Sequence, residues 1–407
     1  MCNAFRSAVC YMARWIRKTE REHMHRIKIM HAADLHLGAR LPGLGDKATA
    51  RRNEILRSFF HMLEICASEN VDYLLLAGDF LESSEITEQQ IQAIRERIAE
   101  AASLKVLITP GNHDYMAPDS PYASSWPENV HIFRGACEAL TDPEKELVIY
   151  GAGFSGTYQE RSLLTLPWEE ERKKTPGYTR LLVVHGDWNQ PESPYHPILP
   201  EALPPDFFTY VALGHVHKRS PLQTVGHTTV AYSGCPDGTG FDETGVKGVY
   251  LGTVEPMHCD LHFRALSTRL FVRQEVDGSH LSSQREAEER LMAALQEAHM
   301  AGFDDSNIAA RLLLTGAVDE EEPVDWALLQ ETLREKLYWL EIRDLRVPAL
   351  DWEQLKQEES LKGYFAAELY ARWKKAAPEE RETLERALRF GLEAFNGKDW
   401  NFADLIH

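Results

Sequence analysis

Five short polar motifs in this sequence bring together aspartate, histidine and asparagine, three side chains that bind metal ions. In chain order the motifs are Asp34-Leu35-His36, Gly78-Asp79, Gly111-Asn112-His113-Asp114, His185-Gly186-Asp187 and Gly214-His215-Val216-His217. Imidazole and carboxylate ligands together suit Mn²⁺, Fe²⁺ or Zn²⁺, and the motifs lack the thiolates of a structural zinc site. Two such ions about 3.5–4 Å apart can bind a phosphoryl group and lower the pKa of a bridging water. The residue types therefore indicate a dinuclear metal centre.

Each motif follows an apolar run that reads as a strand buried on both faces. These runs are Ile27–Ala33, Tyr73–Ala77, Val106–Thr109, Leu181–Val184 and Tyr210–Leu213. Helical periodicity at residues 51–69 and 85–103, the second behind Ser84 as its predicted N-cap, separates the first three runs. This β-α-β-α-β order predicts a parallel sheet, whose strand carboxyl ends meet at one edge. We therefore expect the five motifs to converge at that edge.

The periodicity changes after the motifs and predicts further parts of the chain. Residues 221–264 read as short strands joined by Gly and Pro turns, which is typical of an antiparallel portion. Residues 267–348 combine strand and helix periodicity as a small α/β unit, and residues 349–407 read as a helical segment. We interpret residues 1–23 as a non-core N-terminal extension. Residues 24–266 are then the domain that carries the motifs.

The predicted C-terminal helices are amphipathic. The first places Leu361, Tyr364 and Leu369 on one face, and the second does the same with Leu384 and Leu388. A two-helix segment is too small to bury such a face alone. Packing on the rest of the chain and packing on a partner both remain open at this point.

The composition is that of an acidic globular protein. The 407 residues include 44 Lys and Arg against 63 Asp and Glu, a formal net charge of −19 at pH 7. This balance argues against a protein that holds nucleic acid over its whole surface, but it allows a site whose positive charge comes from metal ions. No apolar run reaches the roughly 18 residues that span a bilayer, and the cysteines include no C-x-x-C pair. We expect a cytoplasmic protein with reduced thiols and no membrane partner.

In this order the five motifs resemble the signature of calcineurin-like metallophosphoesterases. The stretches 33–38, 111–114 and 214–217 resemble more narrowly the SbcD-type DNA repair nucleases, in particular their YhaO-like branch. Weaker similarity continues through Tyr232-Ser233-Gly234 and Lys247-Gly248-Val249. The resemblance implies an α/β fold, a four-layer αββα metallophosphoesterase sandwich, with a small α/β capping domain at 267–348 and a C-terminal helical tail.

The resemblance also implies roles for the motif residues. One metal ion would be bound by Asp34, His36, Asp79 and His217. The second would be bound by Asp79, Asn112, His185 and His215, so that Asp79 bridges. His113 would be the catalytic histidine, acting on the scissile phosphate or the leaving oxygen, and Asp114 would orient its ring. The implied cofactors are two divalent ions, manganese ahead of iron or zinc, with a metal-bound hydroxide as the nucleophile.

The activity implied by the resemblance is metal-dependent hydrolysis of DNA phosphodiesters in DNA repair, as an exonuclease or endonuclease. The implied partners are DNA, an SbcC-like SMC-type ATPase that docks on the C-terminal helices, and a second copy of the chain. A homodimer would pair through the helices at 51–69 and 85–103, although plain packing of these helices on the sheet fits the pattern equally well.

Two other functions stay open on the sequence alone. One is a phosphodiesterase that acts on a nucleotide or another small phosphoester. A closed pocket beside the metals, rather than an open groove, would favour this function. The other is a non-catalytic scaffold subunit of an SMC-like ATPase complex. A protein phosphatase fits less well, because that branch resembles G-D-x-x-D-R-G and G-N-H-E, whereas this third motif ends in Asp114.

Two positions depart from the family pattern. Some relatives carry a histidine three residues after the bridging aspartate, where this chain has Glu82. Relatives of the YhaO-like branch often have an arginine in the loop after the last site strand, and the corresponding loop here, 235–240, has none. Both changes remove a contact to phosphate and leave the predicted metal ligands intact.

The acidic balance predicts a weak salt dependence of DNA binding. Only two of the acidic residues, Asp34 and Asp79, are assigned to metals, and others lie in runs such as Asp319–Glu322, which reads as a solvated loop. Few Lys or Arg contacts to phosphates should therefore form. Because the slope of log affinity against log salt scales with the phosphates neutralised, DNA titrations at several salt concentrations should give a shallow slope. A slope as steep as that of a basic DNA-binding protein would contradict this prediction.

Overall fold

The structure is a computed structural model that describes residues 26–298, 303–318, 323–348 and 352–395. The predicted extension at 1–23 and the acidic run at 319–322 lie outside the described residues. The chain divides into two compact units. The first takes its described residues from Met1–Arg273, Met300–Ala310 and Lys336–Trp339, and the second from Gln274–His299, Arg311–Glu335 and Leu340–His407.

The described elements follow the predicted order closely. The strands are β1 (Ile27–Ala32), β2 (Tyr73–Leu76), β3 (Lys105–Ile108), β4 (Val130–Ile132), β5 (Glu138–Asp142), β6 (Leu147–Ala152), β7 (Thr179–His185), β8 (Tyr210–Gly214), β9 (Gln223–Val225), β10 (Thr228–Tyr232), β11 (Gly248–Glu255), β12 (His258–Ala265), β13 (Leu270–Asp277), β14 (Ile308–Thr315), β15 (Ala317–Val318), β16 (Trp339–Asp344) and β17 (Val347–Pro348). The helices are α1 (Ala48–Ser68), α2 (Glu88–Glu100), α3 (Trp168–Lys174), α4 (Gln284–Ala298), α5 (Trp326–Arg334), α6 (Trp352–Leu355), α7 (Leu361–Trp373) and α8 (Pro378–Phe395). The β-α-β-α-β order of the first part is confirmed.

Two six-stranded sheets make up most of the first unit. One has the order β12-β11-β1-β2-β3-β4 and is parallel from β1 to β4. The other has the order β5-β6-β7-β8-β10-β9 and is parallel from β6 to β10. The hairpin of β11 and β12 is antiparallel and pairs antiparallel with β1. The antiparallel portion predicted for residues 221–264 is therefore confirmed at β9, β11 and β12.

Alternate residues of the central strands serve two different cores. In β1, Ile27 and Ile29 belong to a buried cluster that combines side chains of both sheets, while Met30 packs with side chains of α1 and α2. In β7, Leu181 joins the same inter-sheet cluster and Leu182 faces an outer layer that includes α3 and the loops around it. Both faces of each sheet are thus covered, which explains why these strands read as continuous apolar runs. The predicted α/β metallophosphoesterase fold is confirmed.

Helix α2 begins later than the sequence suggested. Its N-cap is Thr87, whose side chain accepts a hydrogen bond from the backbone N–H of Gln90 at 3.3 Å. The side chain of Gln90 accepts one from the backbone N–H of Thr87 at 3.0 Å in return. The prediction of Ser84 as the N-cap is wrong, because this reciprocal capping box satisfies two helix-terminal donors three residues further on.

The part of the chain that follows β12 forms a further sheet and further helices. Strands β13, β14 and β16 form a three-stranded sheet with β14 in the centre, and α4 and α5 belong to the same part of the chain. Helices α7 and α8 pack on each other through Ala366, Leu369 and Leu388. Leu361 and Tyr364, which were predicted to share the packed face, are 74% and 76% exposed, because the buried face of α7 runs through Gly363, Ala366 and Leu369 instead. None of the described helices has the length and apolarity needed to cross a membrane.

Candidate metal centre

The predicted site residues lie together at the carboxyl ends of the parallel strands of the first unit. The turns after β1 and β2 are joined by backbone hydrogen bonds, from Asp34 N–H to the carbonyl of Gly78 at 3.0 Å and from His36 N–H to the carbonyl of Asp79 at 2.9 Å. Asp34, His36 and Asp79 all have positive φ angles, of 55°, 46° and 47°. Such conformations cost energy in residues other than glycine and cluster at functional sites.

Two groups of facing ligand atoms at this edge correspond to the predicted metal subsites, and a third group, formed by His36, Asp79 and His113, overlaps both. In one group, Asp34, His36 and His217 each offer a ligand atom, and the Nε2 atoms of the two histidines lie 3.2 Å apart. These are three of the four residues predicted to bind the first metal ion. The rings of His36 and His217 thus direct a nitrogen, and not a carbon, at each other, so both can bind the same cation.

The second group contains the ligands predicted for the other ion. The Nε2 atom of His185 lies 3.0 Å from Oδ1 of Asn112 and 3.2 Å from Nδ1 of His215. The Nδ1 atom of His185 donates to the carbonyl oxygen of Ala77 at 3.1 Å, which fixes Nε2 as the ligand atom. Burial lowers the pKa of His185 to about 4, so its imidazole is neutral at pH 7, as metal binding requires.

Asp79 connects the two groups. Its Oδ2 atom lies 3.7 Å from Nε2 of His36 and 3.4 Å from Nε2 of His185, one residue from each group. Its Oδ1 atom accepts a hydrogen bond from the backbone N–H of His113 at 2.9 Å. One oxygen is therefore fixed by the backbone, and the other is available to both groups, as the predicted bridging role requires.

The residues present fit a pair of divalent cations. Asp34 is completely buried, and burial raises the pKa of its carboxyl to about 7. Its Oδ1 accepts from the N–H of His215 at 2.9 Å, whereas Oδ2 has no hydrogen-bond partner within the described part of the chain. A buried carboxylate oxygen without a donor is costly unless a cation compensates it. The donor set of imidazole, carboxylate and amide suits manganese, iron or zinc.

Glu243 is a site residue that sequence reasoning missed. It is buried, and its carboxylate accepts a hydrogen bond from Nδ1 of His217, which directs Nε2 of that ring towards His36. Its second oxygen accepts from the hydroxyl of Thr239 at 2.9 Å. Although burial raises the pKa of a carboxyl, these hydrogen bonds lower that of Glu243 to about 2. A carboxylate behind a metal-binding histidine fixes its ring and increases its basicity.

The expectation that Asp114 orients the ring of His113 is wrong. The buried carboxylate of Asp114 accepts hydrogen bonds from three backbone N–H groups and one hydroxyl, those of Gly111, Phe80, Leu81 and Tyr122. Asp114 therefore ties the second motif to the third. The ring of His113 instead places Nδ1 at 2.9 Å from Oε2 of Glu82, the residue that stands at the position of the relatives' histidine.

His113 lies at the open side of the centre. Its side chain is 44% exposed, and its ring stands perpendicular to that of His36 with 4.7 Å between the ring centroids. The hydrogen bond to Glu82 raises the pKa of His113. A cavity of about 370 Å³ adjoins it, and the described residues that line this cavity include no Lys or Arg; among them are Ser84, Asn112 and Tyr115.

Residues 27–219 match the family described as calcineurin-like phosphoesterase. The matched range contains all five motifs and both groups of ligand atoms. The chain therefore contains a calcineurin-like metallophosphoesterase domain and is a hydrolase that acts on phosphoester bonds.

Several known proteins resemble the chain at modest identity. It is 28% identical over 308 residues to the uncharacterized metallophosphoesterase YhaO of Bacillus subtilis, covering 72% of this chain and 73% of that protein. It is 26% identical over 229 residues to the DNA double-strand break repair protein Mre11 of Sulfurisphaera tokodaii (53% of this chain, 55% of that protein). It is 23% identical over 271 residues to the SbcD component of the nuclease SbcCD of Bacillus subtilis (56% and 67%). The predicted resemblance to the YhaO-like and SbcD-type proteins is confirmed, and the match to the Mre11 protein spans little more than half of its length.

Proposed function

We propose that this protein is a metal-dependent hydrolase of DNA phosphodiesters that works in DNA repair. The observation that carries the proposal is the position of the Asp79 carboxylate, whose Oδ2 faces both groups of ligand atoms, with His113 at the open side. The similarity to a double-strand break repair protein and to a component of a nuclease supports DNA as the substrate.

In this proposal, the site residues have two roles, metal binding and proton donation. Asp34, His36, Asp79 and His217 would hold one divalent ion, and Asp79, Asn112, His185 and His215 the other. The pair, which we propose is manganese, would act as Lewis acids on the phosphoryl group and lower the pKa of water. His113 would contact the substrate through Nε2 and donate a proton to the leaving oxygen, because Nδ1 is engaged by Glu82.

We propose the same domain division as the sequence indicates: a catalytic domain at 24–266, an α/β capping domain at 267–348 and a helical segment at 349–407. Tyr364 and Leu361 are exposed apolar side chains of that segment that would dock on an SbcC-like ATPase. A homodimer through α1 and α2 and a location in the cytoplasm complete the proposal.

A phosphodiesterase for a small nucleotide is the second candidate. The cavity beside His113 favours it, because a cavity of about 370 Å³ suits a single nucleotide and the described residues that line it include no cation for a second phosphate. Cleavage of a cyclic or dinucleotide substrate without cleavage of DNA would identify this function.

Incubation of the protein with Mn²⁺ and end-labelled single- and double-stranded DNA tests the proposed function. The wild type should cleave DNA, and His113→Asn should cleave it about 10²- to 10⁴-fold more slowly, the usual contribution of a positioned proton donor. The control is His227→Asn, the same change at an exposed histidine outside the site, which should keep the wild-type rate. No cleavage by the wild type, or an equal rate for His113→Asn, would refute the proposal.

A further inference from the structure

Glu82 contacts two histidines, His36, which is a predicted metal ligand, and His113, which is the predicted catalytic histidine. Its Oε2 atom lies 2.9 Å from Nδ1 of His113 and 3.5 Å from Nδ1 of His36. The side chain of Glu82 is 18% exposed and that of His36 is 7% exposed, so water competes little for the contact with His36, whereas the side chain of His113 is 44% exposed. One carboxylate oxygen therefore faces the same ring atom of a metal-binding residue and of the catalytic histidine.

The shared oxygen determines where the other nitrogen of each ring points. With Nδ1 of His36 directed at Glu82, its Nε2 faces Nε2 of His217 at 3.2 Å and Oδ2 of Asp79 at 3.7 Å, inside the metal centre. With Nδ1 of His113 directed at the same oxygen, Nε2 of His113 is left for the substrate. The two rings pack perpendicular to each other, with an interplanar angle of 86°.

The backbone around Glu82 is fixed to both motifs that carry these histidines. The N–H of Glu82 donates to the carbonyl of Leu37 at 2.9 Å, next to His36. The N–H of Ser83 donates to the carbonyl of His113 itself at 3.4 Å. The carboxylate is thus held in place by the segments that it supports, which makes it a preorganised support rather than a mobile surface group.

We propose that Glu82 is a positioning residue that couples the first metal subsite to the proton donor of the reaction. It orients His36 for the metal ion and His113 for the leaving oxygen at the same time. This inference rests on the proposed function of His113 and assigns a role to the position at which the chain departs from relatives that carry histidine. It predicts two separable losses when the carboxylate is removed, one in metal affinity and one in leaving-group protonation.

The matched control is Glu243, which supports a histidine of the same metal subsite but, unlike Glu82, is hydrogen-bonded to His217 and Thr239. We would measure Glu82→Ala, Glu82→Gln and Glu243→Ala by calorimetric titration with Mn²⁺. Rates at saturating Mn²⁺ would be measured on two esters of thymidine 5′-phosphate. Dithymidine monophosphate releases a nucleoside, which needs a proton, and the 4-nitrophenyl ester releases 4-nitrophenolate, which does not.

Both alanine variants should lose about tenfold or more in Mn²⁺ affinity, the usual effect of removing a carboxylate behind a metal-binding histidine. Only Glu82→Ala should also discriminate between the esters, slowing dithymidine monophosphate about 10- to 100-fold while the nitrophenyl ester stays within about threefold. Glu82→Gln, which keeps an oxygen acceptor, should recover part of both losses and shows that folding is not the cause.

Equal slowing of both esters by Glu82→Ala, or unchanged Mn²⁺ affinity, would overturn the inference. A failure of the proposed function would give a different experimental result. A wild type that cleaves both thymidine esters but not DNA would refute DNA hydrolysis, while the contrast between Glu82→Ala and Glu243→Ala would still stand.

Discussion

Replacement of Asp79 by asparagine is expected to lower phosphodiester hydrolysis about a thousandfold, because the residue faces both predicted metal subsites. Metal ions supply several kcal/mol of transition-state stabilisation, and each 1.4 kcal/mol or so is a tenfold change in rate. Oδ2 of Asp79 faces both groups of ligand atoms. Asparagine keeps the volume, but if its oxygen accepts from the N–H of His113, its NH₂ group points at the metals.

Mn²⁺ titration by calorimetry and rates on labelled DNA check this prediction. The number of bound ions should fall below two, and the rate should fall with it. Asp260→Asn on β12 is the control, because it makes the same chemical change at an exposed position of the same unit. A variant that binds two ions and stays within tenfold of the wild-type rate would contradict the bridging role of Asp79.

Thermal unfolding of the metal-free protein separates chemistry from folding in this experiment. Asp79 is 1% exposed, and although burial raises the pKa of its carboxyl, His185, His36 and the backbone N–H of His113 lower this pKa below its usual value. The charge of Asp79 therefore stabilises the metal-free fold, and we expect the metal-free variant to unfold somewhat earlier than the wild type. Activity measured at a temperature at which the variant is fully folded then reports on the metal centre alone.

The parts of the fold that the sequence predicted are those in which a strand is covered on both faces. Runs such as Leu181–Val184 are apolar throughout, because alternate side chains enter the two cores on either side of the sheet. Their ends are marked by polar motifs, and the topology of parallel sheets places those ends at one edge. The convergence of Asp34, His36, Asp79 and His185 could be predicted for this reason.

The supports of the site could not be predicted in the same way. Asp114 follows His113 directly, yet its carboxylate turns inward to backbone N–H groups, while the partner of the ring, Glu82, lies 31 residues away in the chain. Glu243 lies 26 residues after His217 and has no motif of its own. Such contacts depend on how loops are fixed in three dimensions, and no short-range pattern in the sequence encodes them.

The second large predicted effect concerns a buried ion pair between helix α1 and the loop that leads to Glu243. Arg51 of α1 is completely buried and is paired with Asp237, which is 2% exposed. The guanidinium also donates to the carbonyl of Gly238 at 2.7 Å and to the hydroxyl of Thr268 at 2.7 Å. We expect Arg51→Met to lower the free energy of unfolding by about 3–5 kcal/mol, because it leaves the charge of Asp237 buried without a cation, with only the hydrogen bonds from Ser58 and Thr268.

Denaturant unfolding of Arg51→Met measures this loss, with Arg57→Met as the matched control on the same helix. Arg57 is exposed, so its replacement should change stability by no more than about 0.5 kcal/mol. The double variant with Asp237→Asn should recover part of the loss, because no unpaired charge remains. A single variant as stable as the control would show that the pair contributes nothing.

The same ion pair should also influence the metal centre. Asp237 and Gly238 directly precede Thr239, whose hydroxyl donates to Glu243, and Glu243 in turn holds His217. When Arg51 no longer fixes this loop, the support of His217 loosens as well, and we expect Mn²⁺ affinity to fall in Arg51→Met even under conditions in which the variant is fully folded. Calorimetric titration at low temperature tests this. Unchanged affinity in the folded variant would mean that the loop keeps its conformation without the ion pair, and that Glu243 alone is sufficient to hold the ring.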